Sequence, residues 1–113
     1  MVWKVLRMNV IDMHCDTIAQ IYRTQNQKET QRLLSNNLCV DLQKMKQGGY
    51  LLQNFAMFVD KGEEENPLET ALGMIDCYYQ ELNENNDWIA PVFSYEDIVK
   101  NQKNGKQFLK VKA

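Results

Sequence analysis

Polar and apolar positions change their spacing block by block along the chain, and each spacing predicts an element. In VIDMHCD, apolar Val10, Ile11 and Met13 interleave with Asp12, His14 and Asp16, which predicts a first strand over residues 8–16. The run stops at Asp16-Thr17, and Ile18, Ile21 and Tyr22 then suit a short helix from Thr17 to Arg23. Residues 24–30 are polar and read as loop, and residues 29–35 as a helical turn or two. Asp41 suits the N-cap of a helix over residues 42–47, which Gly48-Gly49 ends where a positive φ is needed. The stretch YLLQNFAMFV, residues 50–59, is almost continuously apolar, as expected of a second strand covered on both faces.

The charged run from Asp60 to Glu65 reads as a solvated turn. Asn66-Pro67-Leu68-Glu69 then starts a helix: asparagine caps, proline takes the first helical position and glutamate reaches back. Leu68, Leu72, Ile75, Tyr79 and Leu82 recur at helical spacing, so this face is expected against the sheet. Trp88 to Phe93 is short and extended around Pro91. SYED, residues 94–97, is a second capping box opening a helix to about Lys103, closed by Asn104-Gly105. QFLKVKA, residues 107–113, begins a third strand. The alternation predicts an α/β protein, a parallel sheet of about three strands with helical crossovers. Such a sheet has two open edges and needs cover on both faces, so the chain reads as the opening part of a larger α/β protein.

Composition narrows the partners. The chain has 113 residues, 44% hydrophobic and 25% charged, which is the balance of one folded globular domain. The net charge is −2 with no basic run, so no nucleic acid is expected. No apolar stretch approaches the roughly 20 residues of a membrane span, so no membrane partner is expected. Residues 1–7 read as an extension ahead of a natural start at Met8. Cys15, Cys39 and Cys77 are odd in number and lack Cys-x-x-Cys spacing, which disfavours a disulfide framework and a zinc ribbon. They read as small buried side chains in a reducing compartment, and a cytoplasmic location is expected.

The chemistry centres on His14, the single histidine. In a strand, side chains alternate faces, so Asp12, His14 and Asp16 are expected on one face and Met13 and Cys15 on the other. Same-face neighbours are roughly 6.6 Å apart at Cα, and two such side chains can converge on one ion where the strand ends. Imidazole nitrogen and carboxylate oxygen suit zinc. A His-x-Asp pair alone also describes a surface pair, or a histidine with a carboxylate partner. The position favours a site, because parallel α/β units place their sites at the C-terminal ends of strands.

VIDMHCDTI resembles the first-strand metal motif of the membrane dipeptidase (renal dipeptidase) family of metallopeptidases. VDLQKMKQGGYLLQNFAMFVD, residues 40–60, is similar to that family's short helix, double glycine and second strand. EDIVKNQKNGKQFLKVKA is similar to its approach to the third strand. The resemblance implies a (β/α)8-type TIM barrel, hydrolysis of dipeptides and a two-zinc centre, with His14 and Asp16 as ligands of one zinc. It implies a bridging glutamate after the third strand and histidines from later strands, none of which this sequence contains. Asp12 lies deeper in the strand and is expected to support a ligand from behind or to sit on the barrel floor. A full barrel takes ~250 residues. The chain is therefore expected to be a single partial domain over residues 1–113, inactive alone and prone to self-association.

Two other readings stand beside this one. Another barrel metallohydrolase would share the architecture, although many of those open with His-x-His rather than His-x-Asp. A small non-enzymatic α/β module would instead pair its open strand edges with a partner chain.

Overall fold

The computed structural model describes residues 9–103 and, as backbone, residues 107–112. The expected extension at residues 1–7, the start at Met8, the helix end at Asn104-Gly105 and the last residue, Ala113, lie outside the described residues. Eight elements follow one another: β1 (Val10–Cys15), α1 (Thr17–Arg23), α2 (Leu42–Gly48), β2 (Tyr50–Ala56), α3 (Pro67–Glu84), β3 (Ile89–Pro91), α4 (Tyr95–Lys103) and β4 (Gln107–Lys112). They build one parallel sheet in the order β1-β2-β4-β3. The α/β class and the parallel pairing are as expected. The sheet has four strands where about three were expected. The extended piece around Pro91 is itself a strand, because β4 supplies the neighbour its three residues cannot supply for themselves.

Local chemistry explains most boundaries. The Asp41 carboxylate accepts from the Lys44 amide at 2.8 Å, the N-cap bond of α2. Gly49 ends α2 at φ 73°, a left-handed conformation that glycine adopts without steric cost. Its carbonyl then accepts from the Val10 amide at 3.0 Å, so the helix exit is tied to the start of β1. Asn66 caps α3 by accepting from the Glu69 amide at 3.1 Å, with Pro67 at the first turn. Ser94 and Asp97 cap α4 reciprocally: the Asp97 amide donates to Ser94 Oγ, and the Ser94 amide donates to Asp97 Oδ2.

Three expectations are corrected. Residues 29–35 form no helix; they run as irregular chain held by side chains, with the Leu33 amide donating to buried Glu81 Oε2 at 3.2 Å. Arg32 brackets that attachment, with Nε 3.0 Å from Glu81 and NH2 paired with Glu84. Strand β2 stops at Ala56, three residues short of Val59, and Phe58 is exposed. Finally, α3 presents a different face from the one its leucines suggested. Its buried residues are Met74, Cys77, Tyr78, Glu81 and Leu82, whereas Leu68, Leu72 and Tyr79 are exposed. The helix turns this way because Tyr78 lies on Phe55 of β2, ring centroids 6.1 Å apart, and because Glu81 holds the 31–34 segment. Both residues count as polar in a hydropathy pattern, yet both belong to the core.

The core gathers Ile18 and Ile21 of α1, Leu33, Leu42 and Met45 of α2, Phe55 of β2, Met74 and Tyr78 of α3, and Ile89. Helices α1 and α3 meet closely at Gly73, where a Cβ would stand 2.6 Å from the Tyr22 ring.

Asp41 offers a test of how the chain between α1 and α2 is held. Its carboxylate also accepts from the Asn36 amide at 3.0 Å and lies 3.5 Å from Lys44 Nζ. Burial pushes its carboxyl up, but the Lys44 and Asn36 amides and the Lys44 charge outweigh that and hold it below the ordinary value. The folded form therefore favours the carboxylate. That stability is present above the unfolded value of about 3.9 and is lost as pH falls through the lower folded value. Asp41→Ala is expected to lower stability at neutral pH by ~1–2 kcal/mol. The gap to wild type should narrow in acid, as read from urea unfolding followed by circular dichroism; a gap independent of pH would contradict this.

Candidate metal centre

The sheet edge formed by the C-terminal ends of β1 and β2 carries the His-x-Asp motif. His14 is the fifth residue of β1, and Asp16 follows the strand directly as the residue preceding α1. His14 Nε2 lies 3.3 Å from Asp16 Oδ2 and 3.3 Å from Asp16 Oδ1, so the imidazole sits across the carboxylate. The side chains are 60% and 50% exposed, open to a solute from water. Asp16 takes the N-cap position of α1, yet its side chain makes no capping bond. Only its carbonyl serves the helix, accepting from the Gln20 amide at 3.2 Å. The carboxylate is thus left to face the histidine.

The strand does not alternate strictly, as the sequence reading assumed. Asp12 pairs with Gln53 and Cys15 with Phe55, so three steps along β1 match two along β2. This is a bulge, and it changes which residues share a side. Cys15 is turned to pack against the core, while Met13 and His14 are both exposed. Asp12 does not touch the imidazole. Its Oδ2 accepts from Gln53 Nε2 at 2.8 Å, and its Oδ1 lies 3.5 Å from the His14 backbone nitrogen.

The donor set, one imidazole and one carboxylate converging in solvent, suits zinc as part of a site. Zinc sites use three or four protein ligands. Among the described residues no group of three or more histidine, cysteine, aspartate or glutamate side chains gathers here or elsewhere. The residues present therefore fit two of the required ligands. Sequence reasoning passed over Gln53 and Asn54, which are fully buried in β2. Their signal was legible: two adjacent amides inside an otherwise apolar strand.

A parallel α/β sheet with a histidine–carboxylate pair at the end of its first strand is an arrangement suited to metal-assisted hydrolysis. The chain belongs to the membrane dipeptidase family (peptidase family M19), whose pattern matches residues 4–111. Members of that family are metallopeptidases acting on dipeptides, and the family is in general zinc-dependent. No curated protein matches the chain. The membership overturns the cytoplasmic location expected from the cysteines, because the family is one of membrane-anchored dipeptidases. Three free cysteines report only the absence of pairing among themselves, which is not specific to a compartment. Among the described residues no helix is long and apolar enough to cross a membrane.

Burial ranks the three thiols. Burial pushes the Cys15 thiol up, with the Asp12 and Asp16 carboxylates adding to the rise against hydrogen bonds from Thr17. Burial, then Glu81, pushes Cys77 to about 11. Cys39 is exposed. Thiolate is the reactive form, so alkylation near pH 8 is expected to label Cys39 first and Cys77 last, with Cys15 between. Peptide mass spectrometry over a time course checks the order, and Cys77 reacting as fast as Cys39 would contradict the packing described above.

Proposed function

We propose that the protein carrying this chain is a zinc-dependent dipeptidase in which His14 and Asp16 hold one zinc ion. On this reading the parallel sheet supplies the first strands of a (β/α)8-type barrel, whose strand ends carry the site. The observation that supports it most is the contact between His14 Nε2 and both oxygens of an uncapped Asp16, within a chain of the dipeptidase family. When bound, zinc polarises a peptide carbonyl and makes water more acidic. The chain's own residues do the holding. Asp16 would supply the negative charge. His14 would supply a ring nitrogen from the end of β1. Asp12, which accepts from the His14 backbone at 3.5 Å, would support that strand end from behind.

Two ligands leave zinc short of a full set, so these 113 residues alone are expected to bind zinc weakly and to hydrolyse no dipeptide. Calorimetric titration with zinc, alongside a dipeptide hydrolysis assay, is the check. Weak binding abolished by His14→Ala agrees with the proposal. Binding unchanged by both His14→Ala and Asp16→Ala would remove its basis. Tight binding lost on His14→Ala would mean that further ligands of the chain complete the site.

Self-association is proposed on separate grounds. Leu68 and Leu72 are 70% and 57% exposed, Phe93 and Tyr95 more than 70%, and a net charge of −2 offers little repulsion. Light scattering across a dilution series is expected to show a mass that rises with concentration, and a monomer at all concentrations would contradict it.

A further inference from the structure

Gln53 stands out as a fully buried polar side chain in the middle of the sheet, with a relative exposure of 0%. Its Nε2 donates to Asp12 Oδ2 at 2.8 Å and to the Asn54 carbonyl at 2.9 Å. Its Oε1 meets no donor among the described residues. A buried acceptor without a partner is unfavourable, and an apolar side chain of the same size would fill the space without that cost. What an apolar residue cannot do is donate to Asp12. Asp12 in turn uses its second oxygen, Oδ1, toward the His14 backbone N–H at 3.5 Å. One side chain of β2 is thereby linked through a carboxylate to the backbone of the residue whose imidazole meets Asp16. The link spans the place where β1 bulges, between the Asp12–Gln53 and Cys15–Phe55 pairs.

We propose that Gln53 is a positioning residue for the His14–Asp16 pair. It holds Asp12, Asp12 holds the His14 backbone, and the bulged strand end is kept in the one register that carries the imidazole to the Asp16 carboxylate. Gln53 touches neither side chain of the pair; it acts through Asp12. The value of this device for a metal rests on the reading of His14 and Asp16 as zinc ligands, but the device itself is a property of the metal-free chain. A bulge leaves one residue outside the ladder and free to settle in more than one way, so a bond made from beneath it selects among them. Partners behind a ligand typically change metal affinity about 10–100-fold when removed.

The single histidine makes the test direct, because the imidazole Hε1 and Hδ2 resonances of the whole chain belong to His14. Proton NMR of the metal-free chain at one fixed pH is compared for wild type, Asp16→Asn, Gln53→Met, Asp12→Ala and the double variant Gln53→Met/Asp12→Ala. Asp16→Asn shows what loss of the pair does to the signals. Gln53→Met is expected to move them in the same direction, with far-ultraviolet circular dichroism unchanged. In the Asp12→Ala background, Gln53→Met should add nothing, because the link is already cut. Should Gln53→Met fail to fold, Gln53→Leu, which likewise removes the donor to Asp12, is read in its place. His14 signals that stay at their wild-type positions in the folded variants would overturn the proposal, as would equal and additive shifts in the double variant. A final titration with zinc alone separates the two readings. Wild-type His14 signals indifferent to zinc would defeat the metal reading and leave the positioning result standing. Zinc-responsive signals with wild-type affinity in Gln53→Met would defeat the positioning role and leave the metal reading intact.

Discussion

A parallel strand inside a sheet has both edges occupied by hydrogen bonds, and only its two faces remain to be shielded from water. Strand β2 is in that situation, paired with β1 on one edge and β4 on the other. From Gln53 to Ala56 every residue is buried. Covering this strand organises the rest. Tyr78 is drawn onto Phe55, which sets the rotation of α3. Helix α1 then packs so closely on α3 that Gly73 has no room for a side chain beside the Tyr22 ring. Burial of large side chains contributes roughly 1.5–3 kcal/mol each, so a turn of α3 that exposes leucines is tolerated when it places Tyr78, Met74 and Cys77 inside.

Buried carboxylates serve backbone in the chain between α1 and α2. The long connection from α1 to α2 has no regular structure, and its amides find partners in side chains rather than in a ladder. Buried Glu81 takes the Leu33 amide and Arg32, while Asp41 takes the amides of Asn36 and Lys44. Asn36 answers with its own amide group, donating to the Arg32 and Val40 carbonyls at 2.9 and 3.0 Å. The segment is ordered because a few carboxylates and one asparagine replace the hydrogen bonds a helix would have made. Breaking such an attachment leaves a buried group unsatisfied, which costs more than the bond itself contributes.

The edge of the sheet inherits its geometry from the same arrangement. A strictly alternating β1 would have put Asp12, His14 and Asp16 in one row. The bulge breaks that row, sending Asp12 to Gln53 and Cys15 toward the core, while His14 and Asp16 still meet on either side of Cys15, the last paired residue of β1. The meeting lies at the C-terminal end of β1, in a chain of the membrane dipeptidase family.

Much of this protein was determined by local sequence. Asn66-Pro67, the Ser94 capping box, Asp41 and the Gly48-Gly49 pair set helix boundaries through bonds made within a few residues, so the pattern sufficed to find them. The His14–Asp16 pair was legible for the same reason, since two positions separate its members. Three features were decided only in the tertiary structure. The strand at Ile89–Pro91 exists because β4 lies beside it. The buried face of α3 follows from Tyr78 and Glu81, whose contacts are 23 and 48 residues away in sequence. The bulge in β1 opens beside Asp12, whose carboxylate meets Gln53, 41 residues further on. In each case the deciding partner is remote along the chain, and no local periodicity records a hydrogen bond or a ring contact that forms only when the sheet is assembled.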